Sequence, residues 1–159
     1  MIAVTDTSPL CYLILIGEAD FLPKLFGQVG LPQVVQDELL HDAAPEAVRA
    51  WASDLPSWVA VYDNPQGGSA PLAKLQAGEQ AAILLAEALG AEIVLIDEKA
   101  ARRVATDRGL RVTGTLGALG EAATLGLVDL TTAVERLRAT NFRYSPALLK
   151  ATLERFGRK

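Results

Sequence analysis

Four acids stand where chemistry could happen. Asp6 follows the β-branched run Ile2-Ala3-Val4-Thr5 and leads into Thr7-Ser8-Pro9. Asp97 repeats the pattern after Ile93-Val94-Leu95-Ile96. Each reads as a buried strand ending in a carboxylate, then a turn into a helix. Taken alone, either acid could simply cap that helix, where a carboxylate offsets the positive end of the dipole. Glu79 shares the face of Ala82, Ile83 and Ala86, three, four and seven residues on, so it is expected to point inward. Glu38 is read the same way, because Val34 and Val35 lie four and three residues before it. Carboxylates gathered in one place repel one another and raise one another's pKa values. A hard divalent cation removes that conflict. Mg2+ and Mn2+ prefer oxygen ligands, and the waters Mg2+ retains can react. An acid-only set therefore points to phosphoryl chemistry.

Other chemistries have little support. The chain has one histidine, His41, and one cysteine, Cys11, too few for a Cys/His zinc site or a convincing nucleophile–base pair. No G-x-x-x-x-G-K-[ST] loop is present. Gly114, Gly117 and Gly120 recur every three residues, a spacing suited to close helix packing more than to a phosphate cradle.

Strands and helices must position these acids. Helices are expected over Leu10–Ile16 (closed by Gly17, with Ser8 as N-cap and Pro9 as its first residue), Phe21–Phe26, and from Pro32 through Leu40. Others follow from Pro45 and over Gly78–Leu89, Glu98–Arg108, Leu116–Leu125, Thr131–Ala139 and Ser145–Phe156. Strands are expected at Val29–Leu31, Trp58–Tyr62 (an edge candidate), Glu92–Ile96 and Leu110–Val112. Residues 63–77 hold Asn64-Pro65, Gly67-Gly68, Ser69 and Pro71, and read as an exposed loop, either a lid or plain surface. Strands alternating with helices imply a parallel sheet covered on both faces, in one domain over 1–159.

Charge divides unevenly along the chain. Residues 1–80 carry three bases and ten acids, a net −7, while residues 81–159 carry twelve bases and nine acids, a net +3. An acidic site beside a basic flank suits an anionic polymer, although ordinary solvated surface has the same composition. A single cysteine allows no internal disulfide and fits a reducing cytoplasm. No apolar run reaches membrane-spanning length, and the N-terminal residues do not read as a signal peptide.

In order and spacing the chain resembles the PIN domains, the fold of VapC-like toxin ribonucleases, and in particular a compact prokaryotic subgroup formerly of unknown function. The resemblance rests on Asp6-Thr7-Ser8-Pro9-Leu10, Glu38-Leu39-Leu40 after Pro32, Gly78-Glu79, Leu95-Ile96-Asp97-Glu98 with Ala101-Arg102, Thr113-Gly114-Thr115-Leu116-Gly117 and Phe142-Arg143-Tyr144-Ser145-Pro146. It implies a three-layer α/β/α domain with a mostly parallel sheet. It also implies Mg2+ or Mn2+ held by Asp6 and Asp97, with Glu38 and Glu79 completing the cluster, and hydrolysis of RNA phosphodiesters. A homodimer and a small antitoxin partner follow from the same resemblance. Thr115 or Ser8 would orient a water or phosphate, or act as caps. Many PIN domains carry a further aspartate two residues after the strand-end acid, and here that place is Lys99. Lys99, Arg102 and Arg103 would contact phosphate or form a solvated helix face. The alternative function is a PIN-like module that binds RNA or oligomerises without cutting. A haloacid-dehalogenase-like phosphatase would need a second acid at Ser8.

Overall fold

The computed structural model describes residues 1–66 and 70–156. Five strands form one parallel sheet in the order β3-β2-β1-β4-β5. They are β1 (Ile2–Thr5), β2 (Gln28–Pro32), β3 (Val59–Tyr62), β4 (Ile93–Leu95) and β5 (Val112–Thr113). The helices are α1 (Thr7–Leu15), α2 (Leu22–Phe26), α3 (Gln33–Leu40), α4 (Glu46–Ser53), α5 (Ala70–Ala73), α6 (Ala77–Leu89), α7 (Lys99–Asp107), α8 (Thr115–Thr124), α9 (Leu130–Arg138) and α10 (Pro146–Phe156). No helix among the described residues is long and apolar enough to cross a membrane.

The sheet is apolar on both faces, as a parallel sheet covered by helices must be. Alternate strand residues enter different cores. Ala3, Val29, Leu31 and Leu95 join α1–α4 and α8–α10 on one side. Val4, Val94 and Ile96 join α5, α6 and α7 on the other. This is the three-layer α/β/α arrangement expected from the alternation of elements.

The strand order places a reversal at the middle of the sheet. From β1 the chain moves outward through β2 to β3, then returns to lay β4 on the other side of β1. In open α/β sheets this reversal opens a crevice beyond the carboxyl ends of the two central strands. Thr5 pairs with Leu95 in register, and the Asp6 N–H donates to the Leu95 carbonyl at 2.9 Å. Asp6 and Asp97 thus leave the sheet at the same end, from adjacent strands.

Three local expectations need correction. Helix α1 begins at Thr7, with Asp6 in the cap position, so Ser8 is inside the first turn and Pro9 is its third residue. Proline is tolerated there because the first four helical N–H groups have no intrahelical partner anyway. The segment 63–77 is not all exposed loop. It contains α5, and Leu72 is fully buried against the α6–α7 core. One apolar anchor outweighs several turn-forming neighbours. The Gly67-Gly68-Ser69 part of that expectation lies outside the described residues. Glu38, finally, is exposed. Val35 and Leu39, four residues apart, form the buried stripe of α3, and Glu38 stands one residue around from it at the rim.

Candidate active site

The cleft at the reversal has a volume of about 520 Å3 and is lined by Asp6, Glu38, Glu79 and Asp97, with Glu98 as a fifth acid. Three kinds of backbone deliver them. Asp6 and Asp97 leave the ends of β1 and β4. Glu79 lies in the first turn of α6, where the Gln76 N–H donates to its Oε1 at 3.1 Å. Glu38 stands in the last turn of α3, and Thr7 Oγ1–H donates to its Oε1.

Asp6 and Glu79 are both 6% exposed. Burial raises the Asp6 pKa from 3.8 to about 7, helped by the charges of Glu79, Glu38 and Asp97 and opposed by the Thr7 N–H. Burial also raises Glu79, with Glu98 and Glu38 adding to it and the Gln76 N–H opposing. Glu79 therefore faces inward, as expected, and also caps α6. Asp6 occupies the cap position of α1, yet its side chain makes no capping hydrogen bond.

Asp97 is held differently. Thr115 N–H donates to its Oδ1 at 2.7 Å, while Thr115 Oγ1–H at 2.7 Å and Ser8 Oγ–H at 3.1 Å donate to its Oδ2. Ser8 and Thr115 thus fix Asp97. Gly114 is needed for that approach, since a Cβ there would lie 2.7 Å from Asp97 Oδ1. Arg102 is half-buried and its Nη1–H donates to the Ile96 carbonyl at 3.1 Å, so it braces the Asp97 turn.

The donor set suits a hard cation. One point, where a Cβ on Gly78 would sit, is 2.7 Å from Glu38 Oε1 and 2.9 Å from Asp6 Oδ1. Two anionic oxygens converge there only because residue 78 has no side chain. Among the described residues no group of three or more His, Cys, Asp or Glu is placed to hold a metal ion. An open site still fits Mg2+, which usually takes one or two protein carboxylates and keeps several waters. Neither His41 nor Cys11 enters this donor set. Cys11 lines the cleft, and burial raises its thiol pKa, which makes it a poor nucleophile.

The rest of the cleft lining includes Tyr12 on α1 and Asn141, Phe142 and Arg143 from the α9–α10 connection, which local sequence patterns do not place there. Tyr12 and Asn141 are 129 residues apart in sequence, and the tyrosine O–H donates to Asn141 Oδ1 at 2.8 Å. Nothing in local periodicity reports a pairing over that separation.

A family model described as a PIN domain matches residues 2–158. No curated protein and no solved structure matches the chain. The order of elements, the reversal between β1 and β4 and the acids gathered there agree with that match, and the chain belongs to the PIN domain family.

Proposed function

We propose that this chain is a Mg2+- or Mn2+-dependent endoribonuclease acting through a single domain. The observation that carries the reading is the acid cluster itself. Asp6, Glu38, Glu79 and Asp97 share one cleft at the sheet reversal, and the Asp6 pKa is pushed up to about 7. A group held that far from its ordinary ionisation is poised for a cation, which restores the charged form. PIN domains are in general nucleases, which sets the reaction class.

In this reading Asp6 and Glu38 hold the cation, with Asp97 and Glu79 completing the acidic shell directly or through water. A bound divalent ion supplies an activated water and offsets charge on the phosphate and leaving oxygen. Thr7 orients Glu38, and Ser8 and Thr115 orient Asp97, so the carboxylates need little rearrangement. The toxin role, a small antitoxin and a homodimer belong to the same proposal.

The test is cleavage of single-stranded RNA with Mn2+, with EDTA, and by Asp6→Asn. Loss of cleavage under both changes is expected. Equal cleavage by Asp6→Asn would refute the assignment. The three hydrogen bonds that Asp97 accepts are what favours the alternative, a non-cutting RNA-binding module. Calorimetric titration separates the two, because that module would give neither heat nor thermal stabilisation with Mn2+.

A further inference from the structure

The cleft lining carries five acids. Among the described residues lining it, Arg143 is the one cation, and it makes no ion pair among the described residues. A phosphodiester entering among these carboxylates gains from a fixed positive charge in addition to the proposed metal ion. Arg143 is exposed and held there by its neighbours. Asn141 accepts from the Tyr12 O–H, and the Phe142 ring packs edge-to-face on Tyr12 with centroids 5.0 Å apart. Phe142 in turn stacks on Tyr144 at 6.2 Å and an interplanar angle of 18°. The α9–α10 connection is thereby pinned to α1 through the two residues that precede Arg143. Tyr12 also feels both signs of charge. Burial is the main cause raising its phenol pKa, with Cys11 and Asp97 adding to it and Arg143 lowering it.

We propose that Tyr12, Phe142 and Arg143 form the substrate-holding wall, where the ring pair receives an unpaired nucleobase and the guanidinium holds the adjoining phosphate. An aromatic surface takes any base face, whereas a paired base offers none. The cleft volume of about 520 Å3 lies in the range that encloses a small ligand, enough for about one nucleotide. The inference rests on the proposed nuclease function, whose single-stranded RNA these residues would hold.

The experiment measures binding apart from cleavage. A fluorescein-labelled single-stranded RNA, its DNA counterpart and the RNA duplex are titrated by anisotropy with Ca2+ in place of Mn2+. Arg143→Ala is expected to weaken RNA binding about tenfold and to lower the salt slope by about one. Arg143→Lys is expected to restore the slope and part of the affinity. Phe142→Leu keeps apolar packing but removes a stacking face, and is expected to cost about tenfold in affinity. Lys24→Ala, exposed on α2 and outside the cleft lining, is the control and should bind like the parent. In the cleavage assay Arg143→Ala should raise KM more than it lowers kcat. Parent-like binding by both Arg143→Ala and Phe142→Leu would overturn the proposal, as would tighter binding of the duplex. Tighter binding of the DNA, weakened by the same variants, would overturn the RNA assignment. Weakened binding by these variants without metal-dependent cleavage would support the wall and refute the nuclease reading.

Discussion

Asp6→Asn should make the metal-free protein more stable at alkaline pH and change it little at acid pH. The Asp6 pKa rises from 3.8 to about 7, chiefly because burial disfavours the charged form. In the unfolded chain the carboxyl ionises near its ordinary value, so between about pH 4 and pH 7 the unfolded state gains charge that the folded state resists. Parent stability therefore falls as pH climbs through that window, and the full penalty is present above it. The shift corresponds to about 4 kcal/mol at about 1.4 kcal/mol per pKa unit, an upper bound because the cleft admits water. Asparagine has the same shape, keeps an acceptor for the Thr7 N–H and never ionises. In urea unfolding with EDTA the variant should gain up to about 4 kcal/mol over the parent at about pH 8, and close to nothing at about pH 4. Glu79 is raised in the same direction and is present in both proteins, so the change in the difference between the two pH values reports Asp6 together with its coupling to Glu79. Adding Mn2+ at the higher pH should raise the parent midpoint and leave the variant where it was. An equal difference at both pH values, or a variant weaker at high pH, would refute the electrostatic account.

Three further changes probe the supports. Gly78→Ala removes a helix glycine, so stability should hold or rise by about 0.5–1 kcal/mol. Its methyl would stand 2.7 Å from Glu38 Oε1, however, and Mn2+ affinity measured by calorimetry should fall about tenfold, a drop of the size expected when a ligand's position is disturbed. Thr115→Val strips a fully buried hydroxyl from Asp97 and is expected to cost about 1.5–3 kcal/mol in urea unfolding, while Thr115→Ser retains most of it. Gly120→Val drives a side chain into the Phe156 ring where α8 meets α10. Overpacking there should cost about 1–3 kcal/mol and open α10 to limited proteolysis.

Much of this molecule is legible in its sequence because the forces involved are local. Pro32, Pro45 and Gly90 bound helices through φ preferences that travel with the residue, and Gly90 takes the left-handed conformation at φ 61° that closes α6. The unbroken apolar runs at Ala3-Val4 and Val94-Leu95-Ile96 require helices on both faces of the sheet, and the structure has them. An acid directly after such a run must lie at a strand's carboxyl end, which fixes Asp6 and Asp97 in kind.

Tertiary structure decided the rest. Only the parallel pairing of β1 with β4 puts those two acids at one crevice, because strand order depends on contacts some ninety residues apart. Periodicity set Glu38 on the apolar stripe of α3, but a helix of eight residues has a narrow stripe, and docking turned Val35 and Leu39 inward and left Glu38 at the rim. Ser8 looked like a cap because its nearest partners in sequence are helix N–H groups. Its partner in the fold is Asp97, eighty-nine residues away. Hydrophobic patterning reports which side of an element faces inward. It carries no record of which polar groups meet there, so the hydroxyl supports of Asp97 and the Tyr12–Asn141 wall emerge only when the chain closes on itself.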